Sequence, residues 1–151
     1  YTTLFRSPGA TGFGGYDLLF TSPVAGDAVV YDGTKWVNKR VLPRAITQAL
    51  PSGGTFTPDC SAADQYSLTG IGAAVSIAAP TGTPIDGQRL MLRFKDNGTD
   101  RVISWTTSAG GFRAFGTTLP GTTAPGKVLY VGCVYNSQDG YWDVVAVSRQ
   151  V

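Results

Sequence analysis

All ten acidic groups of this 151-residue chain are aspartates, and it has neither histidine nor glutamate. Acid–base or nucleophilic chemistry would have to come from Asp, Ser, Thr, Cys and Tyr. Two carboxylate pairs have suggestive spacing: Asp96 with Asp100, and Asp139 with Asp143, each flanking a short turn. Glycoside hydrolysis uses carboxyl pairs ~5 to 9 Å apart. Asp at a hairpin corner has a commoner role, accepting hydrogen bonds from its own turn, and the sequence favours that reading, so no catalytic residue is assigned. The two cysteines, Cys60 and Cys133, are far apart and have no histidine to join them in a metal site. Cys133 reads as a small hydrophobe buried in a strand and Cys60 as a loop thiol, and a disulfide between them stays open. No metal or cofactor is expected.

A recognition surface is better represented. In TTSAGGFRAFGTT, residues 106 to 118, Phe112, Arg113 and Phe115 stand among glycines and small residues, with Trp105 just before them. Aromatic faces stack on sugar rings, and a guanidinium fork binds carboxylates or phosphates, so these four residues are the candidate glycan-binding set. Weighed against recognition, the favoured reading of Phe112 and Phe115 is that they are core residues of a strand, where large aromatics more often sit. Asn97-Gly98-Thr99 fits a glycosylation acceptor, but Asn-Gly is also what a hairpin turn requires, and it is read as a turn. The net charge of +2 is small and its basic residues are scattered, which argues against nucleic acid. Lys39, Arg40 and Arg44 form the one local cluster and read as a solvated linker. No apolar run approaches the ~20 residues of a spanning helix, so membrane insertion is not expected.

The elements that must position these residues are strands. Twenty glycines and nine prolines punctuate the chain, and aspartate is poor in helix interiors. Leu90, Leu92 and Phe94 alternate with Met91, Arg93 and Lys95, the pattern of a half-buried strand. From Val128 to Val134 and Tyr141 to Val147 both faces are apolar, which predicts cover on both sides, the second cover being another subunit. Eight strands are expected from about Gly54 onward: 55–57, 65–69, 74–78, 89–95, 101–106, 111–115, 127–135 and 141–148. The fold class is all-β, a jelly-roll-like β-sandwich spanning 54–151. Ahead of it, residues 26–38 form a hairpin with Tyr31 and Trp36 as cross-strand partners, and 39–53 form a linker with a short helical turn over Arg44 to Leu50, between Pro43 and Pro51. Residues 8–25 read as an extended lead-in, in which Gly9, Gly12 and Gly15 hint at a Gly-X-Y repeat. Residues 1–7, YTTLFRS, match the translation of a common sequencing adapter and are set apart as non-native.

The hairpin GDAVVYDGTKWVN resembles a short element of bacteriophage tail-fibre and other virion fibre proteins. Residues 63–147 are similar to a module at the C-termini of phage structural proteins. The match is carried by Asp86-Gly87-Gln88, the Lys95-Asp96-Asn97-Gly98 turn, Leu119-Pro120, Tyr130-Val131-Gly132, and the hairpin from Tyr135-Asn136 to Trp142-Asp143. The resemblance implies a non-enzymatic virion component, a homotrimeric fibre tip or knob on tail or head. It would be joined to other virion proteins through its N-terminal part and would contribute to attachment to a host-surface glycan. The rivals are a capsid decoration protein that binds no host and, behind it, a glycan depolymerase; the lack of a visible sequence repeat speaks against the long β-helices typical of depolymerases.

Overall fold

The computed structural model describes residues 2–3, 18–21, 27–40 and 44–151. The lead-in glycines 9, 12 and 15, and Pro43, lie outside them. The chain divides into two compact units, residues 1–42 and 43–151. About half of it is strand, no helix occurs among the described residues, and the fold is all-β.

In the first unit, β1 (Thr2–Thr3), β2 (Leu18–Thr21), β3 (Asp27–Tyr31) and β4 (Trp36–Arg40) form a sheet in the order β1-β2-β4-β3. The β3–β4 hairpin closes as its sequence predicts. Asp32 Oδ1 accepts from the Thr34 and Lys35 backbone N–H groups and from the Thr34 hydroxyl, and Tyr31 lies opposite Trp36 with ring centroids 5.4 Å apart.

The second unit holds β5 (Ala45–Ala49), β6 (Gly54–Phe56), β7 (Gln65–Ile71), β8 (Val75–Ile77), β9 (Arg89–Asp96), β10 (Ile103–Trp105), β11 (Phe112–Ala114), β12 (Val128–Asn136) and β13 (Tyr141–Arg149). All eight expected strands are present. Residues 44–50, expected as a helical turn, instead hold the strand β5, running parallel to β7 from Ala45↔Gln65 to Ala49↔Thr69. So short a segment cannot repay helix nucleation, whereas the β7 edge offers a ladder. Arg44 sets the register: its backbone N–H donates to the Asp64 carboxylate, its carbonyl accepts from Asp64 and Gln65, and its guanidinium reaches the Ser61 carbonyl. Arg44 is thus engaged rather than solvated.

Connectivity departs further from expectation. From β5 to β10 the chain alternates between two sheets. Strands β5, β7 and β9 stack in parallel in one, and β6, β8 and β10 in the other. Residues 45–105 therefore wind as three turns of a two-sheet coil, as in a short β-solenoid, although no sequence repeat announces it. The larger sheet is completed by β12 antiparallel to β9, β13 antiparallel to β12, and β11 parallel to β13. This mixed layout is sandwich-like but lacks the antiparallel wiring of a jelly roll. Close backbone approach holds the turns together: at Gly53, with φ +64°, a Cβ would fall 2.2 Å from the Ala74 carbonyl oxygen.

Both sheets bury their inner faces in one core. The smaller contributes Phe56, Val75, Ile77 and Ile103; the larger contributes Leu68, Leu90, Leu92, Phe94, Leu129, Val131, Trp142 and Val144. On β9 the alternation is the one read from sequence. On β12 and β13 the expected double cover is absent within the chain, since Tyr130 and Val145 are 39% and 47% exposed. A register shift beside Gly132 places Ala146 opposite Gly132 and Val144 opposite Cys133, leaving Val145 as the extra bulge residue on the open face.

Core and open faces of one strand should respond differently to truncation. Leu92→Ala is expected to lower unfolding free energy by about 2–5 kcal/mol, and Lys95→Ala by no more than about 0.5 kcal/mol, as read by urea denaturation. Equal losses would contradict the facing of β9.

Candidate functional site

The segment carrying the expected glycan-binding residues is β11 with its flanks, hydrogen-bonded along β13 in the register Phe112↔Trp142, Arg113↔Asp143, Ala114↔Val144. Side chains alternate across a strand, so once Phe112 points inward, Arg113 and Phe115 share the outer face. Phe112 is fully buried. Its ring meets Trp105 edge-on at 5.0 Å, and Trp105 meets Phe94 at 5.9 Å. The Trp105 indole N–H donates to the Pro120 carbonyl at 2.8 Å. Phe112 and Trp105 are therefore packing residues, and the expectation that they present rings to a ligand is corrected. Hydrophobic burial and edge-to-face stacking claim both.

Arg113 is outward but engaged. Its Nε and Nη2 donate to the two Asp143 carboxylate oxygens at 2.7 and 3.1 Å. Nη2 also lies 2.9 Å from Asp139, and the guanidinium sits 5.1 Å from the centre of the Tyr141 ring. Those hydrogen bonds to Asp143 and Asp139 push the guanidinium pKa up, so it stays charged. The Arg113 hydrogen bonds hold Asp143 below the usual carboxylate range against an opposing effect of burial, with help from the Asn136 amide. The fork expected to grip a ligand anion is already filled by the protein's own carboxylates.

Phe115 is the one member of the set left open, at 59% exposure. It borders a shallow cleft of about 430 Å³ on the outer face, whose walls include Val134, Val145, Asp86, Gln138 and Asp143. The floor is apolar and the rim carries carboxylates and amides. Asp86 Oδ1 accepts from the Ser137 backbone N–H at 2.9 Å, fixing the 84–88 turn against the end of β12. That hydrogen bond lowers the Asp86 pKa. No basic side chain lines the cleft. Sequence reasoning missed Asp86, Gln138 and the Arg113–Asp143 pair, because their partners come together only through sheet pairing.

Of the two carboxylate pairs, Asp139 and Asp143 serve Arg113, and Asp96 fastens a turn to a loop. Asp96 is buried, accepting from the Gly98 N–H at 2.9 Å, the Gly126 N–H at 2.6 Å and the Thr123 hydroxyl at 2.6 Å. Burial works against its ionisation, but these three donors and Arg101 more than offset it, and the pKa is lowered. Both cysteines are free and buried. Burial raises the Cys60 pKa and pushes Cys133 up to about 12, so each is held as a thiol. Cys60 is thus a buried loop thiol. Among the described residues no group of three or more Cys, Asp, Glu or His side chains is placed to hold a metal ion, and no helix is long and apolar enough to cross a membrane.

A scan against protein-family models finds no match to this chain, and a search of curated proteins finds none either.

Because Asp96 and Asp143 both have lowered pKa values when folded, the unfolded chain binds more protons over that range. Their stabilising contribution is complete above the ordinary aspartate range and is lost as pH falls through the folded values. Acid titration of the urea midpoint should show a flat neutral region and a fall on acidification. Arg113→Ala should shift the carboxyl ¹³C titration of Asp143 upward and flatten part of that fall. An unmoved Asp143 titration would contradict the pairing.

Proposed function

We propose that this chain is a virion structural module of a bacteriophage fibre, on tail or head, assembled as a homotrimer and contributing to host attachment. The observation that carries the reading is the open outer face of β12 and β13. Tyr130 and Ala146 stand there around Gly132 and Met91, apolar groups in the middle of the β12–β13 hairpin and outside the lining of the Phe115 cleft. Contiguous apolar patches of this kind mark interaction surfaces, and association with further copies would cover it. The resemblance of the 26–38 hairpin and of residues 63–147 to phage fibre modules points the same way, and the N-terminal part would join other virion proteins.

A non-catalytic role fits the carboxylates. One member of each candidate pair is already engaged by the protein itself, Asp96 by Gly98, Gly126 and Thr123, and Asp143 by the Arg113 guanidinium, so neither stands free to face a glycosidic bond. The solenoid-like winding keeps the depolymerase reading in view, and a reducing-end assay on capsular polysaccharide decides it. Attachment would use the Phe115 cleft, where an exposed ring stands beside acceptor groups of Asp86 and Gln138. Single contacts at so shallow a site are weak, and three linked copies raise avidity by ~10² to 10⁴.

Light scattering on size-exclusion chromatography is expected to give three chain masses for the wild type and one for Tyr130→Asp with its circular dichroism unchanged. A folded wild-type monomer would remove the trimer and favour a decoration domain that binds no host. Phe115→Ala should leave the mass unchanged and reduce adherence of the labelled protein to host cells about tenfold or more, the single-site loss being amplified across the trimer. Undiminished adherence would take attachment away from this cleft.

A further inference from the structure

The Asn97-Gly98 step, which resembles a glycosylation acceptor and folds as a hairpin turn, is also placed for a different modification. We propose that Asn97 is the deamidation site of this chain and that Asp96 restrains the reaction in the folded protein.

The chain has three asparagines, Asn38, Asn97 and Asn136, and only Asn97 is followed by glycine. A glycine leaves its own backbone nitrogen unshielded towards the preceding side chain. In deamidation the Gly98 nitrogen loses its proton to solvent base and bonds to Asn97 Cγ. The Cγ–Nδ2 bond breaks, and the leaving nitrogen takes up a proton and departs as ammonia. Water then opens the resulting five-membered imide at one of its two carbonyls, giving aspartate or isoaspartate. Water is the only co-reactant.

The turn presents both reacting groups to solvent, since Asn97, Gly98, Thr99 and Asp100 are all exposed. Arg101 Nη2 donates to Asn97 Oδ1 at 3.1 Å, which draws electron density from the carbon that would be attacked. The electrophile is primed. The nucleophile is not: the Gly98 N–H donates to Asp96 Oδ1 at 2.9 Å. To react, this nitrogen must give up its proton beside a carboxylate, which opposes the negative charge that develops. Asp96 cannot swing aside, because the Thr123 hydroxyl and the Gly126 N–H hold it from the opposite loop. The Asn97 N–H is tied to the Ile71 carbonyl at 3.2 Å, fixing the other side of the turn. Opening of the 122–126 loop or loss of the Asp96 charge would release the reaction. The isoaspartate product would add a backbone carbon at the turn, and the hydrogen bond from Gly98 could not survive unchanged.

The full-length protein is incubated in mildly alkaline buffer beside a synthetic peptide of residues 93–101, and conversion of Asn97 is followed by peptide mapping with mass spectrometry. The peptide should deamidate at least about tenfold faster than the folded chain, the factor carried by a charged hydrogen bond. Product in the protein should appear at Asn97 before Asn38 or Asn136. Asp96→Ala, checked for folding by circular dichroism, should approach the peptide rate. Amide hydrogen exchange at Gly98 in the wild type gives a measure that needs no variant: protection at neutral pH that is lost on acidification is expected. Equal rates in peptide and protein, a folded Asp96→Ala chain that reacts no faster than wild type, or an unprotected Gly98 amide would each overturn the proposal.

Discussion

The contact on which the second unit turns is the aromatic column Phe94–Trp105–Phe112. Trp105 ends β10 in the smaller sheet, while Phe94 and Phe112 belong to the larger, so one indole bridges both sheets with an edge-to-face contact on either side. Its N–H is satisfied by Pro120, so a large polar-tipped side chain can sit within the core without an orphaned donor. The column also decides the surface. With Phe112 drawn inward, strand alternation sends Arg113 to the outer face beside Asp143, and Phe115 follows it to the cleft. Core packing on one side of β11 therefore sets which groups are offered on the other.

A coil of parallel strands, like any open sheet, leaves the ladders of its end strands unpaired. At one end of the larger sheet the chain solves this with the long β12–β13 hairpin laid against β9, followed by β11. Asp96 makes the junction. It sits at the end of β9, where the last coil strand of the larger sheet gives way to a turn, and its carboxylate binds that turn and the loop leading into β12 at once. A neutral side chain could not accept from three donors this closely, and the need for charge accounts for a buried aspartate in an otherwise apolar neighbourhood.

The strands were legible where apolar periodicity is strong or turn chemistry is explicit. Leu90, Leu92 and Phe94 declare their face, and Asp32-Gly33 with Tyr31 and Trp36 declares a hairpin. Ala45–Ala49 declares nothing, because its five residues have no alternation and become a strand only by borrowing the edge of β7. The winding was hidden for a related reason. Pairs such as Gln65 with Met91, or Gly54 with Val75, are set by backbone ladders that leave no repeated side-chain signature. At the site, the candidate tetrad Trp105, Phe112, Arg113 and Phe115 was found as a segment, but its members part company. Burial of each depends on strand facing, and the neutralisation of Arg113 depends on carboxylates contributed by the far hairpin.

The fate of Arg113 limits what the outer face can recognise. A guanidinium held in a bidentate bond to one carboxylate and near a second has no fork left to offer, and releasing it would leave the buried Asp143 charge uncompensated. An anionic partner would therefore meet Asp86 and the Asp143 rim without a countercharge in the cleft itself. An uncharged partner meets an exposed ring, an apolar floor and hydrogen-bonding groups at the edge. Under the fibre reading, this favours contact through stacking and hydroxyl-directed hydrogen bonds, each weak alone and dependent on repetition across copies for useful strength. The same division holds across the sheet: the inner face is committed to one tightly packed core, and the outer face keeps its apolar side chains open for what assembly and attachment would place there.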